Sequence, residues 1–197
     1  MKDSLIVYTD FVCPWCYIGD AYLKQALAQK PVTVRYVMYP LHPDTPANGP
    51  TLEELFAGRG MDVAAAQRAI REKAIALGLE YGPRTHTFNS RNAQVLGKAM
   101  IEAGKFDEYR SAVFHTYFGR GENISSILVL QSILDTIQMG KWNATEIVEN
   151  TNYQEQVDHD WDQCRQGNIT GVPSFQFGNR YCVGAQPSAS LLELFNS

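Results

Sequence analysis

Two cysteines three apart, Cys13 and Cys16 in the stretch YTDFVCPWCYIGDAYL, are where this 197-residue chain concentrates reactive side chains. Such a pair can be a redox couple, half of a zinc site, or two ordinary core cysteines. Pro14 sets how they are presented. At the first position of a helix its missing N–H costs nothing and its fixed φ suits the turn, so Cys13 becomes the N-cap. The Cys13 sulfur then faces free amides and the positive end of the helix dipole, which favour thiolate and lower the thiol pKa. Cys16, at the third helical position, shares that face at a separation suited to a disulfide, so one sulfur can attack and the other resolve. A helix N-terminus after a strand is also an exposed, electropositive place, which argues against two inert core thiols. A closed zinc site needs two further ligands, and Cys164 and Cys182, with seventeen residues between them, form no second knuckle. No metal is assigned.

Around the pair, Trp15 can form a substrate-facing wall, since a position between the two cysteines is a poor one for simple core packing. Asp10 can steer the loop or carry protons, although a short carboxylate before a helix commonly makes an Asx-turn or a cap. His42, alone after a strand, reads as surface or satisfied core rather than as an acid–base group. Cys164 sits on an apolar helical stripe and Cys182 in the last strand, both as packing residues.

The elements that must position these residues follow from periodicity. Residues 5–8 read as a short buried strand, 14–29 as a helix closed by Pro31, and VTVRYVMYP (32–40) as a second strand, giving a parallel β-α-β unit. The period then changes from 2 to 3.6. Thr51 and Glu54 fit a capping box. Apolar faces follow at Val63/Ile70/Leu77, Ala93/Leu96/Met100/Ala103, Phe106/Tyr109/Val113/Tyr117, Ile127/Leu130/Leu134/Ile137 and Val157/Trp161/Cys164, each ending at a glycine. PSFQFG and RYCVG then flank Gly178-Asn179 as a hairpin, and SASLLELF closes the chain as a short helix.

Composition narrows the class of partner. The net charge is −4, and there is no Lys/Arg run of the kind that binds nucleic acid or anionic membrane. Proteins or small molecules are the expected partners. The opening MKDSLIVYTD offers about four apolar residues where a secretory core needs roughly 7 to 15, so a cytoplasmic protein is expected. In a reducing compartment four cysteines favour a reactive pair over structural disulfides.

The CPWC at a helix start inside a β-α-β unit, the long helical insertion and the late TGVPSF before a hairpin together resemble the DsbA-like thioredoxin-fold family. CPWCYIG, FNSRNA, HTYFGRGENIS and GVPSF followed by GAQ are similar to its FrnE-like branch over almost the whole chain, a branch related to 2-hydroxychromene-2-carboxylate isomerases. The resemblance implies an α/β thioredoxin-like fold, residues 1–45 and 168–197, with a large all-helical insertion and connecting helix at 46–167. It implies that Pro173 is a cis proline beside Cys13, that the backbone of Val172 pairs with an extended substrate, and that Asn89 lies near the active site, although helix capping by Asn89 or Ser90 accounts for FNSRNA as well. The expected activity is cytosolic thiol–disulfide exchange. Cys13 and Cys16 are catalytic, Pro14, Trp15 and Asp10 support them, and Val172, Pro173 and Asn89 bind substrate. No cofactor is expected beyond the dithiol itself, with glutathione an alternative co-substrate and a disulfide- or thiol-containing protein the partner. Two rivals stand. One is a glutathione-dependent isomerase or transferase of the 2-hydroxychromene-2-carboxylate isomerase or kappa class, whose members usually carry one Ser or Cys where this chain has a pair. The other is a non-catalytic protein-binding holdase.

Overall fold

Strand β1 (Leu5–Thr9) alternates its side chains between two faces, as a period of two requires. Leu5 and Val7 enter one apolar cluster, and Ile6 and Tyr8 enter another on the opposite face. The structure is a computed structural model and describes residues 4–196. β1 pairs in parallel with β2 (Val34–Met38) and antiparallel with β3 (Ser174–Phe177), which pairs antiparallel with β4 (Arg180–Val183). The sheet order is β2-β1-β3-β4. Gly178 takes φ +57° between β3 and β4, the left-handed start that a Gly-first two-residue hairpin needs.

Helix α1 (Pro14–Gln29) joins β1 to β2 and packs with α9 (Ser188–Phe195) over one sheet face. Leu23 and Ala26 of α1 meet Leu191, Leu194 and Phe195 of α9 against Val7, Phe175 and Phe177. Fully burying each large side chain of such a cluster contributes about 1.5–3 kcal/mol. The other face carries Val37, Tyr8 and Cys164.

Between β2 and β3 lie α2 (Leu52–Leu55), α3 (Val63–Ala76), α4 (Arg91–Glu102), α5 (Phe106–Phe114), α6 (Ile127–Thr136), α7 (Ala144–Val148) and α8 (Thr151–Gln166). The Thr51–Glu54 capping box forms in both directions. Tyr109 on α5 is buried and donates to the Ala93 carbonyl of α4 at 2.9 Å. Three details depart from the periodic pattern. The aromatic face that includes Tyr117 continues past α5 as a π-helical turn, His115–Gly119, which keeps Tyr117 and Phe118 buried. α7, one short turn capped by the Asn143 side chain, is too brief to show a period. On α3 only Ile70 and Ala74 are buried, with Val63 and Leu77 half-buried.

The chain forms two compact units, 1–41 with 159–197, and 42–158. The junctions read from sequence were 45/46 and 167/168, so the second junction moves into α8. The cause is chemical. The Asp160 carboxylate accepts the Met38 amide at 2.7 Å, and the Cys164 thiol donates to the Met38 carbonyl at 3.6 Å, tying the end of α8 to β2.

Candidate active site

The loop after β1 is built around Asp10, which is fully buried. Its Oδ1 accepts the Val12 amide at 3.0 Å, an Asx-turn, and its Oδ2 accepts the Leu41 amide at 2.9 Å. A buried carboxylate needs such donors. The Asp10 carbonyl accepts the Cys13 amide at 3.3 Å. These bonds deliver the chain to Cys13 with φ −85° and ψ 115°, the extended conformation of an N-cap, with Pro14 opening the helix. The local sequence thus dictates where the first sulfur stands.

Cys13 is only 4% exposed and Cys16 2%, which corrects the expectation of an exposed thiol. The cover comes from a segment distant in sequence. The Cys13 thiol donates to the Val172 carbonyl at 3.4 Å. The Val172–Pro173 peptide bond is cis, and the Pro173 carbonyl accepts the Gly184 amide at 2.7 Å. The Ser174 hydroxyl donates to the Gly171 carbonyl at 2.7 Å, bracing the same turn. Trp15, in contrast, is 40% exposed, as a substrate-facing wall requires.

Gly19 lets Pro173 approach α1. A Cβ there would lie 2.9 Å from Pro173 Cγ and 3.6 Å from Phe175 Cζ. Gly19 stands three residues after Cys16, on the same helical face. In sequence Gly19 is one residue of the CPWCYIG motif, with no role of its own. The available signal was a lone glycine inside a helix, where propensity disfavours it.

The two thiols are pushed in opposite directions. The Cys13 pKa is lowered, first by the Cys16 thiol donating to its sulfur, and further by the Cys16 and Trp15 amides; burial and the Asp10 charge oppose this. The free amides inferred from the N-cap therefore contribute, but the partner thiol contributes most. Cys16 is pushed well up, first by burial, then by donating to Cys13 and by the Cys13 charge. The Asp10 amide, 3.5 Å from the Cys16 sulfur, and the Thr9 hydroxyl partly offset this. Thr9 was the second residue missed, because a threonine in a strand carries no signal of its own. As pH rises Cys13 therefore ionises before Cys16, which makes Cys13 the nucleophile of the pair and Cys16 the thiol that keeps its proton longer.

The remaining candidates lie elsewhere in the chain's bonding. Asn89 belongs to the helical unit. Its Oδ1 accepts the Arg91 amide at 2.9 Å, and its Nδ2 donates to the Thr45 and Pro43 carbonyls at 2.9 and 3.3 Å, fastening the start of α4 to the 43–45 loop. His42 is half-buried with a lowered pKa, from burial first and then Arg84 and Arg59. Cys164 is buried, and Cys182 packs at the edge of the β3–β4 cluster with its thiol pKa raised by burial. All four cysteines are unbridged.

A β-strand leading to a dithiol at a helix N-cap, faced by a proline at the start of an antiparallel strand, defines a thioredoxin-fold protein. The DSBA-like thioredoxin domain matches residues 4–196, and the chain belongs to that family. It is 26% identical to the uncharacterized protein YwbO of Bacillus subtilis, over 94% of this chain and 92% of that one. Among solved structures it is similar to a probable DsbA oxidoreductase of Streptomyces coelicolor, with TM-score 0.89, 23% identity, and 98% and 88% of the two chains covered. A 2-hydroxychromene-2-carboxylate isomerase shares the fold at TM-score 0.74 and 17% identity, covering 96% and 92%. So does the cytosolic disulfide reductase DsbM of Pseudomonas aeruginosa with GSH, at TM-score 0.67 and 17% identity, over 96% and 92%. One fold thus hosts different chemistries, and the activity must be argued from the site.

Proposed function

We propose that this protein is a cytosolic thiol–disulfide oxidoreductase that exchanges disulfides through Cys13 and Cys16. The observation that carries the proposal is the opposed tuning of two adjacent thiols, one lowered and one raised, beside Pro173. Cys13 thiolate attacks one sulfur of a substrate disulfide, forming a Cys13 mixed disulfide and expelling the other sulfur as thiolate. At that moment Cys13 has no charge and no lone thiolate to hold the Cys16 proton. Two of the causes that raise Cys16 disappear, and Cys16 loses its proton to the departing thiolate or to water. Cys16 then attacks the Cys13 sulfur and releases the second substrate thiol. The Cys13–Cys16 disulfide forms, and two electrons have passed to the substrate. An oxidase runs the same steps backwards.

Substrate meets Cys13 along the 171–173 turn and the exposed Trp15 ring, where an extended peptide or glutathione can align with the Val172 backbone. The bound GSH of the DsbM structure supports glutathione as a reducing partner here. The isomerase alternative needs a single thiol or hydroxyl and gives no reason for a second, proton-holding cysteine. A holdase needs neither thiol.

The decisive experiment compares Cys16→Ser with Cys13→Ser on a disulfide-containing peptide, read on non-reducing gels. Cys16→Ser should accumulate the mixed disulfide and Cys13→Ser should not, because only the resolving step is lost in the first. Equal trapping by both variants sinks the assignment, and full activity of the Cys13→Ser/Cys16→Ser double variant would favour the holdase. Equilibration with glutathione then gives the direction of electron flow, since for a two-electron couple about 30 mV corresponds to about 1.4 kcal/mol.

A further inference from the structure

We infer that the cavity between α3 and residues 81–84 is a binding site for a compact phosphate-type anion, either inorganic phosphate or a small phosphomonoester. The cavity has a volume of about 200 Å³, and its lining includes Gln67, Arg68, Arg71, Tyr81 and Arg84. It lies wholly within the 42–158 unit, apart from the unit that bears the thiols.

Arg68 and Arg71, three apart on α3, share a helical face. Both are exposed, and neither is ion-paired among the described residues. Arg84 brings a third guanidinium from the segment after Pro83, and it is held in place. Its Nε–H donates to the Tyr117 hydroxyl at 2.9 Å, and its guanidinium lies over the Tyr117 and Phe118 rings, 5.4 and 5.6 Å from their centroids. That combination fixes the plane of the fork before any ligand arrives. The buried Tyr81 donates its hydroxyl to Gln67 Oε1 at 3.0 Å, which occupies the acceptor of that amide and leaves its N–H groups as donors. The neighbouring acid, Glu80, pairs with His115 at 2.7 Å. In a chain of net charge −4, three guanidinia around one cavity are not a consequence of composition. The Arg84 charge also reaches His42, whose protonation it disfavours after burial does.

Size and charge select the ligand. Pockets for drug-sized ligands run from about 300 to 1,000 Å³. This cavity falls below that range, a size suited to a compact anion. A single carboxylate offers two oxygens to one fork. A phosphate group carries about −1.5 to −2 charges and three or more acceptor oxygens, so several planar forks can bind it at once.

Titration calorimetry on the full chain tests this, with inorganic phosphate and with glycerol phosphate as probes and ionic strength held constant with chloride. Wild type should bind at least one of the two, and their relative affinities tell free phosphate from phosphomonoester. Arg68→Gln/Arg71→Gln should bind about ten- to a hundredfold more weakly, the loss expected for charge-assisted hydrogen bonds. Its Cys13 alkylation rate and its melting temperature without phosphate should match wild type. Arg84→Lys, which keeps the charge and loses the fork, should weaken binding about tenfold. No binding by wild type at millimolar phosphate, wild-type affinity in the double arginine variant, or succinate binding as tightly as phosphate would each overturn the inference.

Discussion

Gly19→Ala sets two effects of known sign against each other. In an unconstrained helix interior, alanine in place of glycine stabilises by about 1 kcal/mol. Here the new Cβ would stand 2.9 Å from Pro173 Cγ. That is about 0.6 Å short of the ordinary carbon–carbon contact of about 3.5 Å, and Phe175 Cζ, 3.6 Å away, blocks escape to one side. The proline ring is stiff, and its carbonyl is held by Gly184, so the strain passes to the backbone at Val172. Overpacking of this kind costs about 1–3 kcal/mol. The cost exceeds the propensity gain, leaving a net destabilisation of up to about 2 kcal/mol. In a chain of this size each kcal/mol lowers the melting temperature by about 2–4 °C. Moving Val172 also lengthens the 3.4 Å contact of its carbonyl with the Cys13 sulfur, so the rate of Cys13 alkylation near neutral pH should change together with stability. Thermal unfolding of the reduced protein and timed iodoacetamide labelling supply both numbers. A Gly19→Ala protein that is more stable than wild type by about the helix-propensity gain, with unaltered labelling, would show that the α1–Pro173 contact does not constrain the site.

Other outcomes follow from the same geometry. Limiting iodoacetamide near neutral pH should label Cys13 before Cys16, Cys164 or Cys182, as peptide mapping would show, because the Cys13 pKa is lowered, those of Cys16 and Cys182 are raised, and Cys164 is buried. Asp10→Asn removes a negative charge that raises the Cys13 pKa, so the pH profile of alkylation should move to lower pH; a shift upward would refute the electrostatic account. The same variant should lose about 1–3 kcal/mol in denaturant unfolding, since one buried backbone amide then faces an NH2 group. The raised Cys16 pKa means that its proton is held more tightly folded than unfolded. The reduced protein should therefore lose stability as pH rises above the ordinary thiol pKa, when unfolding frees Cys16 to ionise, and Cys16→Ser should flatten that decline. Asn89→Ala should lower stability by about 1–2 kcal/mol through the lost bonds to Arg91, Thr45 and Pro43 while leaving Cys13 labelling unchanged.

What the sequence determined by itself is local. Pro14 at the start of a 3.6-period segment suffices to make Cys13 an N-cap, since proline's fixed φ and missing N–H are properties of one residue. The short strand read at 5–8, the capping box at Thr51 and the glycine of the 178–179 hairpin were legible for the same reason. Five of the helices showed themselves through apolar spacing, whereas α7 was too short to display a period and the π-helical turn at His115–Gly119 looks in sequence like more of α5. Long-range partners left no local mark. The place of Val172 and Pro173 against Cys13 came from likeness to a family, because residues 159 positions apart meet only when β3 pairs with β1. The tertiary structure alone decided that both thiols are covered. It also decided that Gly19 is the space Pro173 occupies, and that the end of α8 belongs with β2 through Asp160. Each of these depends on a distance between segments that share no period, and such a distance is set by packing.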